Sequence, residues 1–151
     1  MRFLDLLPAA RVRTGLVARD KAELVGQLAE LLGEAGDVSV VRDAIAARER
    51  LGSTGLGLGV AIPHGRSPAI GEARAAFVRL ADAVDFGADD GRKVDLVAAL
   101  IVPAHFTDQH LRLLAELAEL FSDTAITTAL RAAPDATALH QLLRDSLKTG
   151  D

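Results

Sequence analysis

Apolar positions fall into two kinds of spacing along the chain. From residue 21 to about 49, and again from Thr107 onward, they recur every three or four residues, the period of a helix with one buried face. Between residues 60 and 102 they come as short unbroken runs bounded by Gly, Pro and Asp, which is strand spacing. In chain order, residues 14–18 predict a short strand, and Asp20 with Glu23 forms a capping-box signal for a helix bearing Leu24, Leu28, Leu31 and Leu32. That helix is predicted to end near Gly33 to Gly36. Ser39 is the expected cap of a second helix with Val41, Ala44, Ile45 and Ala47 on its apolar face and Arg48 in its last turn.

Residues 60–62, 75–80 and 94–102 predict strands, and residues 82–86 a further short edge strand. The run at 94–102 is apolar almost throughout, as a central strand covered on both faces requires. After Thr107, residues Leu111, Leu114, Leu117, Ala118 and Phe121 predict one helical face. Ser122 or Asp123 then caps a short helix with Ile126 and Leu130, which Pro134 ends, and Asp135 or Thr137 opens a last helix with Leu139, Leu142, Leu143 and Leu147. Strand, two helices, several strands and three helices together predict one α/β domain over residues 1–151, a three-layer α/β/α arrangement with a mixed central sheet.

Composition narrows the class. Half of the 151 residues are hydrophobic and a quarter charged, enough for a real core. A net charge of -4 and only five Phe as aromatics argue against a nucleic-acid surface. With no Cys there is no disulfide framework, which suits a cytoplasmic setting. The N-terminus lacks the apolar core of a secretion signal, and the longest uncharged apolar run falls short of the roughly 20 residues a membrane helix needs, so direct membrane insertion is not expected.

The candidate chemistry gathers in one stretch, residues 48–66. Six of the 13 glycines lie between positions 52 and 71, leading into an apolar run that ends on His64 between Pro63 and Gly65. The glycine spacing fits neither a dinucleotide fingerprint nor a P-loop. A histidine so framed presents one ring nitrogen while the other is fixed by a backbone carbonyl, the arrangement of a phosphoryl acceptor, and is expected to lie open to solvent. Arg48 suits an oxyanion donor, and Ser53 and Thr54 add hydroxyls. His110 lies in the first turn of the helix opened by Thr107, where the helix N-terminus favours an anion and disfavours a ring proton. A zinc site from His64, His105 and His110 has no supporting carboxylate spacing, and no metal or cofactor is expected.

The run Gly52-Ser53-Thr54-Gly55-Leu56-Gly57-Leu58-Gly59-Val60-Ala61-Ile62-Pro63-His64-Gly65-Arg66, with Arg48-Glu49 before it and Asp108-Gln109-His110-Leu111 after it, resembles the fructose/mannitol-type IIA domain of the bacterial phosphotransferase system. The nitrogen-regulatory IIA proteins belong to the same family. The resemblance implies a phosphotransferase component: His64 takes a phosphoryl group from an HPr-like phosphocarrier, with Arg48 and His110 as the matching active-site arginine and second histidine. Ser53, Thr54 and Gly65 are then the candidate phosphate-binding positions. In the regulatory branch, phosphorylation selects target proteins; in the alternative transport branch, the phosphate passes to a IIB domain. The lack of an attached IIB or membrane segment leans toward a free-standing regulatory protein. Leu58 departs from the Asn that many regulatory members carry there, and Gly55, Leu56, Leu58 and Ile62 are the expected partner-docking positions.

Overall fold

The computed structural model describes residues 1–148. Two short 3-10 turns lead into β1 (Val12–Leu16), followed by α1 (Lys21–Leu32) and α2 (Val38–Glu49). Then come β2 (Gly55–Gly57), β3 (Val60–Ala61), β4 (His64–Ser67), β5 (Arg74–Val84) and β6 (Val94–Pro103), and three helices close the described chain: α3 (Asp108–Ser122), α4 (Thr124–Ala132) and α5 (Ala136–Lys148).

The apolar run at 94–102 is the centre of the sheet, as its composition requires. β6 pairs antiparallel with β5 on one side and parallel with β3 and β4 on the other, and β1 and β2 complete a six-stranded mixed sheet. Alternate side chains of β6 enter two cores. Leu96, Ala98, Leu100 and Val102 join α3, α4 and α5, while Val97, Ala99 and Ile101 join α1 and α2. The α/β/α layering read from the sequence is therefore the observed one.

Local signals hold where nothing competes for them. Asp20 caps α1, accepting from the Glu23 N–H at 2.8 Å, and Asp123 and Asp135 accept from the Ala125 and Ala138 N–H at 3.0 and 2.8 Å. At α2 the cap differs from expectation: Asp37 precedes the helix and Ser39 lies inside it. The Asp37 carboxylate makes no cap bond because it accepts from the Glu34 N–H and from buried Arg74, at 2.7 and 2.9 Å. Strand β1 lies two residues earlier than predicted. The stretch 82–84 is no separate edge strand but the end of β5, where Val84 pairs with Val94 beyond a register shift.

Helix α3 shows the most consequential difference. Leucines at 111, 113, 114, 117 and 120 allow more than one buried face, and the packing selects His110, Leu113, Leu117, Leu120 and Phe121. Leu111 is left 66% exposed, and Ala118 also faces outward. His110 faces inward, as its place beside Leu117 and Phe121 predicts.

Candidate functional site

Strand β4 pairs with β6 along one edge only, and its other edge opens between α2 and α3. A cavity of about 710 Å3 lies there, lined by Arg48 from α2, by His64, Gly65 and Arg66 from β4, and by Thr107 and His110 at the start of α3. Alternation along the strand places His64 and Arg66 on one face and Gly65 on the other. A Cβ on Gly65 would sit 2.8 Å from the Ala44 carbonyl carbon and 2.9 Å from the Ala44 Cβ. The missing side chain lets the helix carrying Arg48 approach the strand carrying His64.

His64 is only 7% exposed, so the open histidine expected from the sequence is instead a mostly enclosed ring that faces the cleft. Its Nδ1 lies 2.7 Å from the Ile62 carbonyl oxygen. A carbonyl only accepts, so Nδ1 carries the hydrogen and Nε2 keeps its lone pair. The pKa is lowered from the ordinary histidine value. Burial is the largest cause; the Ile62 carbonyl opposes it, Arg48 adds to it, Glu49 opposes it and Arg66 adds to it. The ring is thus neutral at neutral pH.

His110 meets it from α3, with the ring centroids 5.0 Å apart and the planes at 82°. Its Nε2 is buried and has no hydrogen-bond partner among the described residues. Burial pushes its pKa down to about 4, helped by repulsion from His64 once that ring is protonated and by the Arg66 charge. The direction is the one expected at a helix N-terminus, but burial is the main cause. Arg48 donates from Nη1 to the Gly52 carbonyl at 2.9 Å, bracing the start of the glycine loop from the rim of the cleft.

Four of the expected site residues, His64, Arg48, His110 and Gly65, therefore line one cleft; Ser53 and Thr54 do not. The Ser53 hydroxyl donates to the Phe86 carbonyl at 2.7 Å and accepts from the Gly55 N–H at 3.0 Å. The Thr54 hydroxyl donates to Glu49, whose carboxylate also takes the Thr54 N–H and pairs with Lys21 at 2.9 Å. These groups fasten the base of the loop and have no free hydroxyl to offer the cleft.

The expected docking positions are also separate from it. Ile62 is 7% exposed and Gly55 packs under Ala88. Leu56 and Leu58 are exposed, but they belong to β2 and the turn after it, beside Val60, which pairs with Leu96, whereas His64 pairs with Leu100. Four residues of strand are about 13 Å. Beside the cleft itself the exposed apolar side chains are Leu51, at 85%, and Leu111, at 66%. The sequence reading passed over Arg66, Leu51 and Leu111. Arg66 was within its reach, because strand alternation puts the residue two beyond His64 on the same face; the other two depended on how helices pack.

A pinned neutral imidazole, a second imidazole with an unpartnered nitrogen, two guanidinium groups and no carboxylate among the described lining residues suit attack on an anionic electrophile whose oxygens need donors. Comparison with known proteins points the same way. Residues 5–146 match the family model described as phosphoenolpyruvate-dependent sugar phosphotransferase system, EIIA 2. The chain is 39% identical over 138 residues to a nitrogen regulatory protein of Bradyrhizobium diazoefficiens, covering 91% of this chain and 88% of that one. It is 35% identical over 148 residues to a nitrogen regulatory protein of Pseudomonas aeruginosa, covering 96% of each. Its fold superimposes on the crystal structure of nitrogen regulatory protein IIA-Ntr from Neisseria meningitidis with a TM-score of 0.86 at 37% identity, over 93% of this chain and 97% of that one.

Proposed function

The chain belongs to the EIIA 2 family of the phosphoenolpyruvate-dependent sugar phosphotransferase system, and from that membership we propose that it is a nitrogen-regulatory phosphocarrier accepting a phosphoryl group on His64 Nε2. The observation that carries this reading is the His64 ring itself, held neutral with Nδ1–H on the Ile62 carbonyl and set 5.0 Å from an unpartnered His110. The donor is an HPr-like phosphocarrier. The lone pair of Nε2 forms a new P–N bond as the P–N bond to the donor breaks, and the donor nitrogen keeps the bonding electrons. Transfer between two neutral imidazoles needs no net proton movement. Arg48 and the Nε2–H tautomer of His110 take up charge on the phosphoryl oxygens during the step.

Leu51 and Leu111 provide a small apolar rim of the kind a transient partner covers. The whole of residues 1–151 is read as one such domain, acting in the cytoplasm; its last three residues lie outside the described ones. Among the described residues no helix is long and apolar enough to cross a membrane. Transfer to a IIB domain of a sugar system is the weaker alternative, since relatives matched at 39% and 35% identity carry the nitrogen-regulatory name.

Incubation with phosphoenolpyruvate, enzyme I and an HPr-like carrier is expected to yield one acid-labile phosphate per chain, absent in His64→Ala. Phosphate retained by His64→Ala would refute the assignment. Phosphorylated and unphosphorylated protein are expected to retain different partners on a column, and onward transfer to an isolated IIB domain would favour the transport reading instead.

A further inference from the structure

Most cations tied into this fold already hold an anion. Lys21 pairs with Glu49, Arg74 with Asp37, Arg131 with Asp95, Arg2 with Glu116 and Arg11 with Glu34. Arg66 differs: it is exposed, lines the cleft, and has no hydrogen-bond or ionic partner among the described residues. Nor does the cleft wall supply one, since no carboxylate among the described residues lines it and Glu49 is taken by Thr54 and Lys21. Arg66 follows His64 by two residues on β4, so both side chains leave the same face about 7 Å apart, within reach of an arginine side chain. Its charge acts on both His64 and His110, whereas Arg48 figures only in the environment of His64.

Two incomplete groups thus belong to residues that line one cleft: the unpartnered Arg66 guanidinium and the His110 Nε2, which is closed off from solvent in the unphosphorylated protein. A tetrahedral oxyanion seated on His64 would complete both. Arg48 lines the cleft from the helix side with one nitrogen already given to the Gly52 carbonyl, while Arg66 lines it from the strand side with its donors uncommitted. We infer that Arg66 is a second phosphoryl-binding cation, closing over phospho-His64 opposite Arg48 so that the three outer oxygens are held by His110, Arg48 and Arg66. The inference deepens the phosphocarrier reading and rests on it for the covalent state. The oxyanion cradle can also be measured without any donor protein.

Two measurements on wild type, Arg66→Ala and Arg66→Lys test it. In the first, inorganic phosphate is titrated into unphosphorylated protein and followed by the ring NMR signals of His64 and His110. Wild type is expected to shift, Arg66→Ala to need about tenfold more phosphate, the loss of one charge-assisted hydrogen bond, and Arg66→Lys to fall between. In the second, the phosphorylated fraction at equilibrium with an HPr-like donor is expected to drop about tenfold in transfer equilibrium constant for Arg66→Ala, with partial rescue by Arg66→Lys. Arg66 is exposed, so thermal unfolding of the variants should match wild type.

No shift in wild type, or the same midpoint in wild type and Arg66→Ala, overturns the inference. So does a slower transfer rate in Arg66→Ala with an unchanged equilibrium, which would make Arg66 a docking contact for the donor. Failure of wild type to accept phosphate from any donor refutes the phosphocarrier reading, and the phosphate titration still decides the role of Arg66.

Discussion

Gly65→Ala isolates the contact that sets the width of the cleft. The backbone at Gly65 is not in the left-handed region, so alanine meets no conformational penalty there, only a steric one. Its Cβ would meet three atoms of α2 at 2.8, 2.9 and 3.0 Å, where ordinary contact begins near 3.4 Å. The helix must retreat by about 0.6 Å, the difference between 3.4 and 2.8 Å. Overpacking against backbone costs about 1–3 kcal/mol, offset by about 0.5 kcal/mol because alanine has less freedom to lose on folding. The net loss lowers Tm by about 2–8 °C for a domain of this size. Since α2 carries Arg48, phosphoryl acceptance should also slow by about three- to tenfold, because group misplacement of about 1 Å can cost about a hundredfold. The assay is calorimetry together with the initial rate of phosphorylation by an HPr-like donor. Gly71→Ala is the control, because Gly71 has nothing within 4 Å of its Cβ position and no positive φ. If Gly65→Ala keeps the wild-type Tm and a rate within about twofold, or if Gly71→Ala loses as much, the close approach of α2 does not set the site.

Folded His110 resists protonation down to about pH 4 while the unfolded chain takes the proton near the ordinary 6.5. Stability is therefore full above pH 6.5 and declines as pH falls toward 4, by about 1–3 kcal/mol given a ring that borders the cleft; Tm measured against pH should lose this component in His110→Gln, and an unchanged profile would remove it. Leu58 has φ +58° and is 51% exposed, so Leu58→Asn relieves strain without losing core and should raise Tm by about 1–4 °C; a lower Tm in thermal melts would contradict this. Glu49→Ala strands the Thr54 N–H and hydroxyl and leaves the Lys21 ammonium with only the Phe86 carbonyl and ring, a loss of about 2–4 kcal/mol visible as a Tm fall of about 5–15 °C, and a neutral result would mean the loop base is held otherwise.

An Asn at position 58, which the family resemblance led one to expect, would suit the left-handed conformation found there, so Leu58 bears on the geometry of the turn. It is not the loss of a contact to the site. Arg131 and Asp90 hold that turn through the Leu58 backbone, leaving the leucine side chain outward, and the β2–β3 turn lies well away from His64.

The sequence alone was enough to identify the central strand, the α/β/α layering and the cap of α1, and to narrow the caps of α4 and α5 to two residues each, because each depends on neighbours a few residues apart or on a run too apolar for any exposed position. It also marked His64, Arg48 and His110, which the fold brings to one cleft. Tertiary structure decided the rest. Which leucines of α3 face inward, and so that Leu111 rims the cleft, was settled by competition between faces that the spacing left nearly equal. That Ser53 and Thr54 serve the loop and not the cleft followed from Phe86 and Glu49 lying against them, and that Gly65 admits a helix followed from the backbone of Ala44. Hydrogen bonds and steric limits between segments distant in the chain have no local signature, so only the folded arrangement distinguishes a hydroxyl free to bind from one already bound.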